Sequence, residues 1–145
     1  MKIVLQRVIS ASVSVEGVVV GSIGRGYLLL VGVAPKDDHS VISRLALDVH
    51  KVRLMEDSAG KMGVSLKDAG GSILAVSQFT LLLDFSKGNR PSFNGAAKPE
   101  IARPLFDQFV HELSTHLGQS VPTGVFGADM KVELVNDGPV TVVLE

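Results

Sequence analysis

Ile101, Leu105, Phe109, Leu113 and Leu117 recur every four residues, with Phe106 and Val110 widening the stripe and Pro99 placed for a first helical turn. A helix with so long an apolar face cannot bury it alone; it needs a sheet or a second helix against it. The rest of the chain supplies both. Residues 2–9 and 11–16 alternate Val and Ile with polar partners, and Glu16-Gly17 reads as a hairpin turn into "VVVGSIG". "YLLLVGV", 27–33, is a continuous apolar run of strand length and so a central strand. Asp37-Asp38 can cap a second helix that carries Val41, Ile42, Leu45, Val49 and Val52. "RLMEDSAGKMG" suggests a short strand and a turn, and "SILAVSQFTLLLDF" a buried strand. Stretches around 119–126 and 130–144 are again β-rich. The expectation is one α+β domain over residues 1–145, with two main helices on a mixed or antiparallel, barrel-like sheet.

A chain of 145 residues can bury roughly two-thirds of its unfolded surface. With 46% hydrophobic and 20% charged residues, a packed core is expected and disorder is not. The net charge of −1 argues against coating nucleic acid by charge alone, but not against gripping one end of an RNA. Without cysteine there is no disulfide, thiolate metal site or thiol nucleophile. Gln6 and Arg7 interrupt the apolar start, so no signal-peptide core is read there. No apolar stretch approaches the ~20 residues of a membrane span, and a soluble, cytoplasmic protein is expected.

His39, His50, His111 and His116 lie on or beside the helices and read as ordinary surface histidines; a Ser-His-Asp triad is disfavoured. "GSIGRG", 21–26, joins two strands where a dinucleotide loop would open a helix, so hairpin turns are the better reading. "SQFT" puts Ser77, Gln78 and Thr80 at the end of an apolar strand: either the strand frays, or hydroxyls and backbone project beyond the sheet. In "GNRPSF", Arg90 and Phe93 sit on a stiffened loop that is either simply solvated or able to hold a phosphate and stack a base. Gly138-Pro139 stands just before a closing β run, where a residue without an N–H is out of place unless it makes a turn or is kept for a purpose.

"SQFTL", "RPSF", "TGVFGADM" and "NDGPVT" occur in the order and spacing of the D-aminoacyl-tRNA deacylases, which this sequence closely resembles. "QRV", "ASVSVEG" and "GKM" at 60–62 extend the likeness over nearly the whole chain. It departs at Asn89, where some members carry a second basic residue. The resemblance implies a homodimeric editing enzyme that hydrolyses the ester between a D-amino acid and the terminal ribose of tRNA, without metal or other cofactor, and spares L-aminoacyl-tRNA. RNA is the expected partner; DNA and membrane are not.

In such enzymes the Gly-Pro pair is a cis peptide that enters the partner subunit's pocket. Carried over, the carbonyls of Gly138 and Pro139 would accept hydrogen bonds from the substrate α-ammonium. An L side chain would then strike backbone and a D side chain would not, a rejection by clash that attractive contacts alone could not match. Glycine has no side chain to clash, so glycyl-tRNA, including glycine mischarged on alanine tRNA, should be hydrolysed too. Two mechanisms stay open. Thr80 could be the nucleophile; or backbone N–H groups of Phe79 and Thr80 could polarise the carbonyl while the free ribose hydroxyl helps activate water. The second is preferred because no base is evident beside Thr80. Ser77 and Gln78 would then position the terminal adenosine, Arg90 and Phe93 would contact or support the tRNA, and Arg7 would anchor the Gly-Pro segment. An RNA-end-binding module without catalysis is the alternative from another class, and a general esterase a third.

Overall fold

A computed structural model describes residues 1–145. The chain runs β1 (Lys2–Val15), β2 (Val18–Ile23), β3 (Gly26–Gly32), α1 (His39–Lys51), β4 (Met55–Glu56), β5 (Met62–Val64), β6 (Ser72–Ser77), α2 (Pro99–Leu117) and β7 (Lys131–Leu144). β1 organises the sheet. One of its edges takes β3 along residues 2–8 and β2 along residues 11–15; the other takes β7 along both halves, all antiparallel. β6 adds to β3 in parallel, so the sheet is mixed. β2 comes back towards β6 and the sheet curls into a half-barrel. The β1–β2 connection is the expected tight turn, with Glu16 at φ 50° and Gly17 at φ 78°, the pair of positive values a two-residue hairpin favours.

The burial pattern shows why both sheet faces are apolar. Ile3, Leu5, Tyr27, Leu29, Val31, Ile73 and Ala75 pack with the helices in the main core. Val8, Ala11, Val13, Leu28, Leu74 and Val76 form a smaller cluster on the opposite face. β3 and β6 therefore bury both of their faces, as their unbroken apolar runs require. Along β1 the buried side switches at Arg7 and Val8, where the pairing with β7 slips.

Leu105, Phe106, Phe109, Leu113 and Leu117 of α2 are buried against Ile42, Leu45, Ala46 and Val49 of α1 and the sheet. Ile101 departs from the expected stripe: in the first turn it lies beyond the core edge and is 46% exposed. Asp38 is the cap of α1, its carboxylate accepting from the N–H groups of Ser40 and Val41 at 3.0 Å each; Asp37 turns away to the Met1 ammonium.

Two expected strands are corrected. The run from 72 to 85 is strand only to Ser77 and then makes a 3-10 turn, Phe79–Leu82. The Gln78 N–H donates to Val31 O at 2.7 Å, which draws the chain across the end of β3. Gly32 allows this, since a Cβ there would meet the Gln78 carbonyl oxygen at 3.0 Å. Residues 119–126 form no strand beyond a single bridge, Ala75 to Thr123. Pro122 has no N–H to extend a ladder, so only its carbonyl, accepting from Ala75, and the Gly124 N–H, donating back, touch the edge of β6.

Candidate active site

Where β6 ends, its last residues and two loops enclose a groove of about 530 Å³. Ser77, Gln78 and Phe79 form one wall, with Phe93 tilted against Phe79 at 5.7 Å between ring centroids. Val33, Val76, Ala97 and Ala102 make an apolar floor, and Phe126 to Met130 the opposite wall. Three of the four motif segments, far apart in sequence, thus meet around one cavity. Phe126 in turn leans on Phe106 of α2, 6.3 Å between centroids, so the helix core supports the far wall.

The groove's polar groups are few. Gln78 Nε2 donates to the Thr80 hydroxyl, and Thr80 itself lies just outside the lining. Asp129 is the sole carboxylate in the lining and pairs with Lys131 at 3.0 Å; Lys98, before α2, is the sole cation. No histidine reaches the groove. His39 meets Gln108, and His50 stacks half-buried on His116 at 5.2 Å, so these last two are more than surface residues. Burial is the main reason His50 sits below the ordinary histidine value, helped by the nearby His116 and Lys67. Thr80 therefore has no side-chain base beside it. The N–H groups of Phe79 and Thr80 stand at the head of the 3-10 turn, where the first donors have no partner within the turn itself. Nowhere do three or more His, Asp or Glu side chains converge as metal ligands would.

Gly138 and Pro139 are not in this groove. They sit exposed on a bulge of β7, between Asn136 paired with Val8 and Thr141 paired with Gln6, and their peptide bond is cis. Beneath the bulge lies Arg7, only 2% exposed. Its Nε donates to Asp137 O at 3.0 Å, its Nη1 to Leu54 O at 2.8 Å and its Nη2 to Glu56 Oε1 at 3.1 Å. The Asp137 carboxylate lies 3.4 Å from Nε. Tyr27 pairs with Arg7 across the ladder; burial pushes its hydroxyl up, against the pull of the Leu54 backbone and the Arg7 charge. No motif pointed to Glu56, because only the fold brings the β4–β5 hairpin under β7. The lining at Phe126–Met130 was visible as a motif but not as a wall. Arg90 is exposed on the loop that ends in Phe93.

A curled α+β half-barrel with an aromatic-walled cleft at the end of its sheet, holding one carboxylate, one ammonium and no histidine, defines a ligand-binding α+β protein without a histidine-based catalytic cluster. The comparisons name the family. The family model for D-Tyr-tRNA(Tyr) deacylase matches residues 4–145. The chain is 55% identical over its whole length to the D-aminoacyl-tRNA deacylase of Chromobacterium violaceum and 50% to that of Dechloromonas aromatica, covering 97% of each. Among solved structures, a c-Myc DNA unwinding element binding protein superposes with TM-score 0.93 at 38% identity, covering all of this chain and 98% of that one. A probable eukaryotic D-amino acid tRNA deacylase shares the fold, with TM-score 0.84 at 18% identity over 99% of this chain and 97% of that one. The chain belongs to the D-Tyr-tRNA(Tyr) deacylase family, and is a hydrolase of translation quality control.

Proposed function

We propose that this deacylase works as a homodimer in the cytoplasm, with the Gly138-Pro139 bulge of one subunit entering the groove of the other. The observation that carries this reading is the pair's placement: exposed, outside its own groove, and backed by a buried arginine. Such a segment is presented outward and held firmly, as a selector for another subunit's ligand must be. β7 adds support, since its outer edge has no partner strand over 14 residues and carries Val135 and Val143, each half-exposed.

In the groove, the N–H groups of Phe79 and Thr80 polarise the ester carbonyl. Water, assisted by the substrate's free ribose hydroxyl, adds to the carbonyl carbon. The tetrahedral adduct then collapses, the carbon–oxygen bond to the ribose breaks, and that oxygen takes a proton, leaving free amino acid and tRNA. Ser77 and Gln78 position the adenosine, Phe93 and Arg90 the RNA end. The two main-chain carbonyls at Gly138 and Pro139 hold the α-ammonium so that an L side chain meets backbone. Glycyl-tRNA, with nothing to clash, is a substrate, including glycine mischarged on alanine tRNA.

DNA binding, named for one structural relative, is not carried over, because a net charge of −1 gives little phosphate neutralisation. The test is a paired deacylation assay on one tRNA carrying D-tyrosine or L-tyrosine, with chelator in both. Loss of the D ester alone supports the reading. Loss of neither leaves an RNA-end-binding module, and loss of both removes the selector.

A further inference from the structure

Six phenylalanines divide sharply in this chain. Phe106, Phe109 and Phe126 pack inside, while Phe79, Phe85 and Phe93 are 51%, 56% and 53% exposed and all fall within residues 79–93. Phe79 and Phe93 belong to the groove already described; Phe85 does not line it. It stands on the neighbouring loop, whose arms are joined by Asp84 N–H to Ser92 O at 3.0 Å and Ser92 N–H to Asp84 O at 2.8 Å. Across an antiparallel bridge the residues flanking the bridged pair share a side, so Phe85 and Phe93 face the same way.

The loop is firm and positively charged. The Gly88 N–H donates to Phe85 O at 3.1 Å, and the Asp84 carboxylate accepts from Ser86 N–H and Oγ at 2.8 and 2.9 Å. From residue 84 to 98 the cations are Lys87, Arg90 and Lys98, and Asp84 is the sole acid. None of the three cations forms an ion pair. In a chain of net charge −1, this is a local excess beside a ring open to solvent. Aromatic faces in a cationic groove, one after another, are how single-stranded nucleic acid is held without reading its sequence.

We propose that Phe85 is a second stacking station, for the base of the nucleotide 5′ to the terminal adenosine, with Lys87 and Arg90 facing its phosphates. The inference rests on the deacylase reading, extending the contact from the charged end into the single strand. A second copy of this chain is the competing occupant of the ring, but the free cations favour a polyanion.

The test is a binding cycle read by fluorescence anisotropy on the full chain. The probes are an uncharged RNA hairpin with a single-stranded 3′ end finishing in adenosine, and the same RNA with an abasic penultimate nucleotide. Removing the base should weaken wild-type binding by about 5- to 150-fold. Phe85→Ala should lose a similar factor on the intact RNA and then be indifferent to the abasic change, while Phe85→Tyr keeps tight binding. Independent, additive losses would overturn the proposal. So would unchanged RNA binding by Phe85→Ala, including the case in which that variant instead weakens self-association. Hydrolysis of a D-tyrosyl ester of adenosine alone, which lacks the penultimate nucleotide, tests the deacylase reading separately.

Discussion

At the level of single residues, Arg7 and Gly138 form one device. Arg7 is buried yet spends its donors on two carbonyls and two carboxylates that remain partly open to water. Arg7→Ala should lower unfolding free energy by an amount near the lower end of about 3–5 kcal/mol, because Glu56 and Asp137 can rehydrate; urea denaturation measures it. Gly138 has φ 126°, and a Cβ there would meet Val140 Cγ2 at 2.9 Å and Arg7 Nη2 at 3.3 Å. Gly138→Ala should therefore displace the Gly-Pro bulge and abolish most D-ester hydrolysis in a chain that still unfolds cooperatively on heating. Thr80 separates the two mechanisms. If main-chain donors and the ribose hydroxyl carry the chemistry, Thr80→Ala loses less than about a thousandfold in single-turnover rate, below what removal of a nucleophile costs.

Among the elements, α2 carries the most apolar burial. Phe109→Ala, fully buried in the seam with α1, should cost about 3–5 kcal/mol in equilibrium unfolding. The start of α1 is sensitive to acid. Asp38 is held below the usual carboxylate value, first by the Ser40 hydroxyl and then by the Val41 N–H. A carboxylate lowered by folding stabilises above its unfolded value and loses that contribution as pH falls through its folded one. The stability gap between wild type and Asp38→Ala should accordingly be present at pH 7 and close in the acid range below the ordinary 3.8. His50 obeys the same sign. Its lowered value means the unfolded chain binds the proton more readily, so stability should fall as pH drops below the ordinary 6.5. His50→Gln should flatten that limb.

For the whole molecule the decisive question is assembly. A 14-residue strand with an unpaired outer edge and an exposed Gly-Pro bulge that does not line its own groove suit a two-fold partner. Mixing two inactive variants tests this directly: Gly138→Ala, and a groove filled by Ala96→Trp. In a heterodimer one site receives an intact groove and an intact bulge, so a randomly mixed pool should regain roughly a quarter of wild-type activity. No recovery, with heterodimers present by native mass spectrometry, would mean that groove and selector belong to one chain.

Periodicity sufficed for the helices, the hairpin at Glu16-Gly17 and the central strand, because those signals are local: apolar spacing, a cap, a pair of residues that accept positive φ. The motifs were also legible, since "SQFT", "RPSF" and "TGVFGADM" are short contiguous strings. Their meeting around one groove was not, and neither was the end of β6 at Ser77, which depends on Val31 and Gly32 accepting the chain from a neighbouring strand. Glu56 was silent for the same reason. A solvated glutamate in a hairpin looks like any other until the fold carries it to within 3.1 Å of a buried guanidinium. What this sequence determined alone was its helices, its main strands and its family; where β6 stops, which residues share a cavity, which lie beneath the Gly-Pro bulge and which rings face solvent were decided by long-range packing, where contact is set by three-dimensional neighbours that spacing along the chain does not encode.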